Sequence, residues 1–134
     1  IVHVLLPHAP YTLDTDCKVK PPGQWSRGTR PDRPVTMTDA AIYSGYWDQV
    51  GCMGRRLNTL VDIILATEAG KDATILVHGD HGARVTLERA AGENQDDLVQ
   101  TLFAVRTPAS KGAVIAEPKV LQDLFLETYR RQFP

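Results

Sequence analysis

Ala73-Thr74-Ile75-Leu76-Val77, an apolar run ending in His78-Gly79-Asp80-His81-Gly82, decides how the chain is read. Its aliphatic and β-branched side chains predict a strand, and the paired glycines predict a turn where the strand stops. Toward the N-terminus, Tyr43, Tyr46, Val50, Met53, Leu57, Leu60, Val61 and Ile64 recur at steps of three and four. That spacing predicts one apolar stripe along a helix of about seven turns. Thr36 or Thr38 is the expected N-cap, Asp39 suits the first turn, and Gly70 is the expected C′ residue. Earlier still, Ile1-Val2-His3-Val4-Leu5-Leu6 is apolar on both alternating faces and predicts a strand covered on both sides, stopped at Pro7. Strand, long helix, strand is a βαβ unit. The expected fold class is therefore α/β, a mostly parallel sheet with helices on both faces. Because the chain opens inside a strand, the reading expects an incomplete version of that fold, a piece of something longer.

Beyond the glycine turn, residues 83–98 are polar and irregular. Thr101-Leu102-Phe103-Ala104-Val105 predicts a third strand, closed by Arg106-Thr107-Pro108, and Ala113-Val114-Ile115 a short fourth. Pro118 suits the first position of a last amphipathic helix, with Val120, Leu121, Leu124 and Phe125 facing inward. Between Pro7 and Val35 lie six prolines and no helical period, with Lys18, Lys20, Arg27, Arg30 and Arg33 against Asp32 in the second half. A loop of this length is either functional or a plain surface loop; if functional, its charge could steer an anion.

The 134 residues suit one domain, 1–134, able to bury roughly two-thirds of its unfolded surface. Fifteen Lys+Arg against sixteen Asp+Glu give a net charge of -1, which argues against a nucleic-acid partner. Leu60 to Ala66 is too short an apolar stretch to span a bilayer. Cys17 and Cys52 are too few for a disulfide scaffold or zinc ribbon. They form either a single bridge between loop and helix or two separate small buried side chains.

In an open α/β sheet, reactive groups gather at the carboxyl ends of strands. His8, between Pro7 and Pro10, and Asp80-His81, between Gly79 and Gly82, are both expected at such ends, and on one edge if the strands are parallel. Asp80 and His81 offer a carboxylate oxygen and an imidazole nitrogen, a pair suited to Zn²⁺ or Mn²⁺. The competing reading is a tight turn with Asp80 capping backbone amides. His8 could contact an anionic oxygen or protonate a leaving group, or be purely structural. Arg84 could reach the same anion or remain solvated. No G-x-S-x-G elbow, P-loop or G-x-G-x-x-G is present.

Taken together, His3 to Tyr11, the helix through Tyr46, Gln49, Leu57 and Leu60 to Leu65, Ile75 to Gly82, and Leu102 to Pro108 resemble the C-terminal half of a sulfatase-like domain of the alkaline phosphatase superfamily. The resemblance covers most of the chain. It implies an alkaline-phosphatase-like α/β fold and a divalent metal (Zn, Mn, Ca or Mg) held partly by Asp80 and His81. It also implies that His8 contacts the sulfate or phosphate group of an anionic ester. The family includes sulfatases and phosphoethanolamine or phosphoglycerol transferases, many of them extracytoplasmic, periplasmic or membrane-anchored. Any membrane contact would run through segments outside this chain, and such a setting would favour a Cys17–Cys52 bridge. The family's nucleophile and first acidic ligands lie in an N-terminal half that nothing here matches. Neither cysteine sits in a C-x-P-x-R context. The resemblance thus implies half an active site, inactive without the missing half. The alternative is a non-catalytic α/β binding or structural module. A self-sufficient metalloprotein built on Asp80, His81 and His8 is a third reading.

Overall fold

The computed structural model describes residues 1–26, 37–83, 85, 100–108 and 120–132. They fall into two units, Ile1–Ile63 with His81–Gln100, and Ile64–Asp80 with Thr101–Pro134.

The first unit is organised by helix α1, Asp39–Leu65. Thr38 starts it: its Oγ1 accepts from the Ala41 amide at 3.3 Å, and its carbonyl accepts from the Ile42 amide at 3.1 Å. Asp39 places a negative charge in the first turn, where free amides favour it. The predicted cap at Thr38 and the length of about seven turns both hold. Thr36, the other candidate cap, lies outside the described residues. The buried face, however, is not the predicted stripe. Ile42, Gly45, Gln49 and Cys52 are the buried residues of α1, whereas Tyr43, Tyr46, Val50 and Met53 are half-buried and Leu60 is exposed. The reason is what covers the helix: an irregular strap, residues 7–26, rather than a sheet.

Gly45 lets the strap approach. A Cβ there would overlap Ser26 Oγ and lie 3.1 Å from Tyr11 Cβ. The strap folds back through isolated antiparallel bridges, Tyr11 with Ser26 and Leu13 with Val19. Asp14 Oδ1 accepts the amides of Asp16 and Lys18, both at 2.8 Å, and so tightens the turn that carries Cys17. Tyr11, Ile42 and Val85 form a buried cluster, with Ala9, Met37, Tyr43, Tyr46 and Ala83 packed around it.

The second unit holds a two-stranded sheet of β1, Ile75–His78, and β2, Phe103–Arg106. The strands pair antiparallel, Ile75 opposite Arg106 and His78 opposite Phe103. The Gly79 amide extends the ladder onto the Leu102 carbonyl at 2.9 Å. Helix α3, Leu121–Gln132, sets Phe125 edge-on against His78 and Phe103, at 5.0 and 5.5 Å between ring centres. Leu124 is buried as predicted, but Val120 is exposed. Gly70 lies inside the short helix α2, Glu68–Lys71, instead of ending α1. There Thr67 Oγ1 accepts the Gly70 amide at 3.0 Å, and a Cβ on Gly70 would overlap the Ile64 carbonyl.

The mostly parallel sheet with helices on both faces is therefore not what forms, and the alkaline-phosphatase-like fold expected with it goes too. Among the described residues there is one sheet, of two antiparallel strands. Residues 1–6 form no strand, and Ile1, Val2, Val4 and Leu5 are exposed. Apolar character on both faces predicts coverage but carries no information about strand direction. β1 satisfies its backbone groups on β2, and that pairing sets the direction. Residues 113–115 and Pro118, the proposed fourth strand and helix start, lie outside the described residues. Among the described residues, no helix is long and apolar enough to cross a membrane.

Candidate functional site

His8 sits on an exposed turn whose peptide bonds Leu6-Pro7 and Ala9-Pro10 are both cis. Its amide donates to the Leu5 carbonyl at 2.8 Å, closing the turn from behind. Its carbonyl accepts from Gln49 Nε2 at 3.1 Å. The ring bonds through Nδ1 to the Ala9 carbonyl. A carbonyl only accepts, so Nδ1 carries a proton and the neutral ring presents its lone pair at Nε2.

Gln49 was not singled out for chemistry by its residue type, yet it organises this region. It is buried on α1. Its Oε1 accepts from the amides of Thr12 at 2.9 Å and Leu13 at 3.3 Å, while its Nε2 holds the His8 carbonyl. One side chain thus binds three backbone groups of an irregular strap, groups that would otherwise lose partners on burial. A buried amide at a helical position flanked by Gly45 and Cys52 was the available signal, since those two small residues mark the face the strap covers.

Cys52, one turn beyond Gln49, is bonded to Cys17 with an S–S distance of 2.03 Å and a Cα–Cα distance of 5.0 Å. Of the two readings left open for the cysteines, the single loop-to-helix bridge is the one that forms. Lys20 Nζ pairs with Asp48 Oδ2 on the same helix, so a basic residue of the strap serves to seat it. Trp25 Nε1 donates to the Lys20 carbonyl at 2.7 Å.

Tyr11, whose ring meets Tyr46 edge-on at 5.8 Å, has its phenol pushed up from 10.0 to about 12. Burial is the main cause, followed by the neighbouring phenols of Tyr46 and Tyr43. Tyr11 is accordingly a neutral packing residue at any ordinary pH.

Asp80 is exposed, one residue beyond the Gly79 that ends the β1 ladder. His81 is half-buried, and its Nδ1 bonds to the Gly82 carbonyl at 2.7 Å. By the same logic as for His8, its neutral ring carries the lone pair at Nε2, the arrangement a metal-ligating histidine adopts when its other nitrogen is held. Arg84 lies outside the described residues. Ala83 and Val85, two and four residues after His81, pack on the Tyr11–Ile42 cluster, and so does Ala9, the residue after His8. The segments carrying His8 and His81 therefore share one small core in the first unit.

Among the described residues, no three His, Cys, Asp or Glu side chains gather as a metal shell. Asp80 and His81 have the right donor chemistry for a divalent ion but supply part of a coordination sphere, not all of it. Comparison of the chain with family models, with curated proteins and with solved structures finds no match.

Proposed function

We propose that this chain contributes part of the active site of a metal-dependent, sulfatase-like hydrolase or transferase acting on anionic sulfate or phosphate esters. The observation that carries the reading is the shared core: Ala9 and the pair Ala83 and Val85 pack on one cluster, next to His8 and His81. A second support is the His81 ring, whose Nδ1 bonds to the Gly82 carbonyl and so leaves the lone pair on Nε2. Asp80 and His81 would hold a divalent ion, which when bound supplies positive charge to stabilise oxygen charge developing on the ester.

The chain's own residues do the rest. The Gly82 carbonyl keeps the His81 proton on Nδ1, so Nε2 stays an electron-pair donor. His8, held at its carbonyl by Gln49, acts when doubly protonated. In that state Nε2–H points a donor at an anionic ester oxygen and delivers its proton to the leaving oxygen. Attack on sulfur or phosphorus falls to a nucleophile outside these residues. The Cys17–Cys52 bridge supports an extracytoplasmic setting, since disulfides persist in oxidising compartments.

The test uses the full-length protein. Metal content and turnover of 4-nitrophenyl sulfate and bis(4-nitrophenyl) phosphate are measured for wild type, Asp80→Ala, His81→Ala and His8→Ala. The first two substitutions should remove both metal and turnover. His8→Ala should keep the metal and lower turnover by about 100-fold. Normal turnover in Asp80→Ala or His81→Ala ends the proposal. Wild-type protein that binds no metal and cleaves neither ester points instead to a non-catalytic module.

A further inference from the structure

Gln49 lies within an otherwise apolar and small-residue face, Ile42, Gly45, Gln49 and Cys52. A buried amide there needs partners, and it has them only because the strap presents two amides and one carbonyl at the right places. The three partners are not scattered. Along the chain the His8 carbonyl comes before Tyr11, and the Thr12 and Leu13 amides after it, so Gln49 pins the chain on both sides of the strap's buried aromatic residue. The His8 ring in turn bonds to the carbonyl of the very next residue, Ala9. Gln49 thus holds the His8–Ala9 peptide, which links the ring-bearing residue to the carbonyl to which its ring bonds.

We infer that Gln49 is a positioning residue for His8: by holding the His8 carbonyl and the Thr12 and Leu13 amides, it fixes the backbone from which the ring projects and so aims Nε2. This rests on the proposed role of His8, and extends it from the ring to the helix that orients it. Cys17–Cys52 and Lys20–Asp48 keep the strap seated on α1, but they bond nine and twelve residues along the chain from His8. Gln49 joins α1 to the His8 backbone itself by a hydrogen bond.

Three measurements on the full-length protein decide the matter. In wild type, the Thr12 and Leu13 amides should exchange with solvent at least about tenfold more slowly than unprotected loop amides. Exchange at the unprotected rate overturns the inference without any variant. Gln49→Met keeps side-chain length and removes all three bonds, and Gln49→Ala is a second variant should the first not fold. In either folded variant, with the Cys17–Cys52 bond intact, the His8 ring ¹⁵N signals should move from their wild-type positions as the ring's surroundings change. Signals that stay at their wild-type positions overturn the inference.

Turnover in Gln49→Met should fall by about 10- to 100-fold, mainly in kcat, with metal content unchanged. Adding Gln49→Met to His8→Ala should then cost nothing further. A double variant whose loss equals the product of the two single losses means independent roles and contradicts the inference. If wild type proves inactive and metal-free, the enzymatic reading fails alone. Exchange and ¹⁵N signals still judge the hold of Gln49 on His8.

Discussion

The two units solve the same problem, pairing backbone polar groups away from water, by opposite means. In the second unit the backbone pairs with itself: β1 and β2 exchange ladder bonds from Ile75 to His78, and Phe125 lays an aromatic edge on the result. In the first unit, the strap over α1 has isolated bridges and turn bonds in place of a ladder. Much of its backbone is held by side chains, Gln49 and Asp14 above all, and by one covalent bond at Cys17–Cys52. A ladder tolerates many side chains because none of them makes its bonds. A strap held by side chains fails at single residues. It can also present a side chain such as His8 on a non-repeating backbone, which a strand cannot do.

The comparison breaks most sharply at the disulfide. Reduction, or Cys52→Ser, should cost the first unit about 2 to 4 kcal/mol, the range for a bridge closing a loop of this size. Denaturant unfolding followed by Trp25 and Trp47 fluorescence measures it. The β1–β2 amides of the second unit should keep their exchange protection under reductant, and equal loss in both units would erase the distinction.

Alkaline pH gives the next effect. The folded pKa of Tyr11, about 12, lies above its ordinary 10.0, so the folded state keeps a proton that the unfolded chain gives up. The resulting stability is fully present below pH 10 and is lost as pH rises toward 12. The loss is about 2 to 3 kcal/mol. Unfolding curves at pH 9 and pH 11.5 test the sign, and a Tyr11→Phe variant should flatten the dependence.

The smallest effects come from two glycines on the same helix. Gly45→Ala places a methyl into Ser26 and should destabilise by about 1 to 3 kcal/mol. Gly54→Ala meets nothing within 4 Å and should stabilise by up to about 1 kcal/mol, because alanine loses less backbone entropy in a helix. Thermal melts of the two variants should move in opposite directions. Similar shifts would mean that the strap does not press on Gly45.

Local signals were legible and long-range ones were not. Thr38, Asp39 and the three-and-four spacing specify α1 through contacts within a turn, so its start and length could be read directly. The strand segments at 75–78 and 103–106 could also be read from composition, within a residue or two of their true bounds. What composition cannot supply is the identity of a partner. β1 pairs with β2 and not with residues 1–6, and that choice turned an expected parallel sheet into an antiparallel hairpin-like pair. The buried face of α1 was misplaced for the same reason. An apolar stripe marks the covered face when a sheet covers the helix, but a polar strap selects Gly45, Gln49 and Cys52 instead. At the candidate site, His8, Asp80 and His81 stood out by chemistry, and the cysteine pair by number. Gln49 did not, because its importance lies in three backbone groups that only the folded strap brings to it.

The most direct test of the central claim, that the His8 and His81 segments converge on one metal-bearing site, is paramagnetic relaxation by added Mn²⁺. Broadening falls off as the inverse sixth power of distance from the ion. In the full-length protein, the ring signals of His81 and His8 should broaden together at stoichiometric Mn²⁺, and Asp80→Ala should restore both. Broadening of His81 while His8 stays sharp would contradict the account.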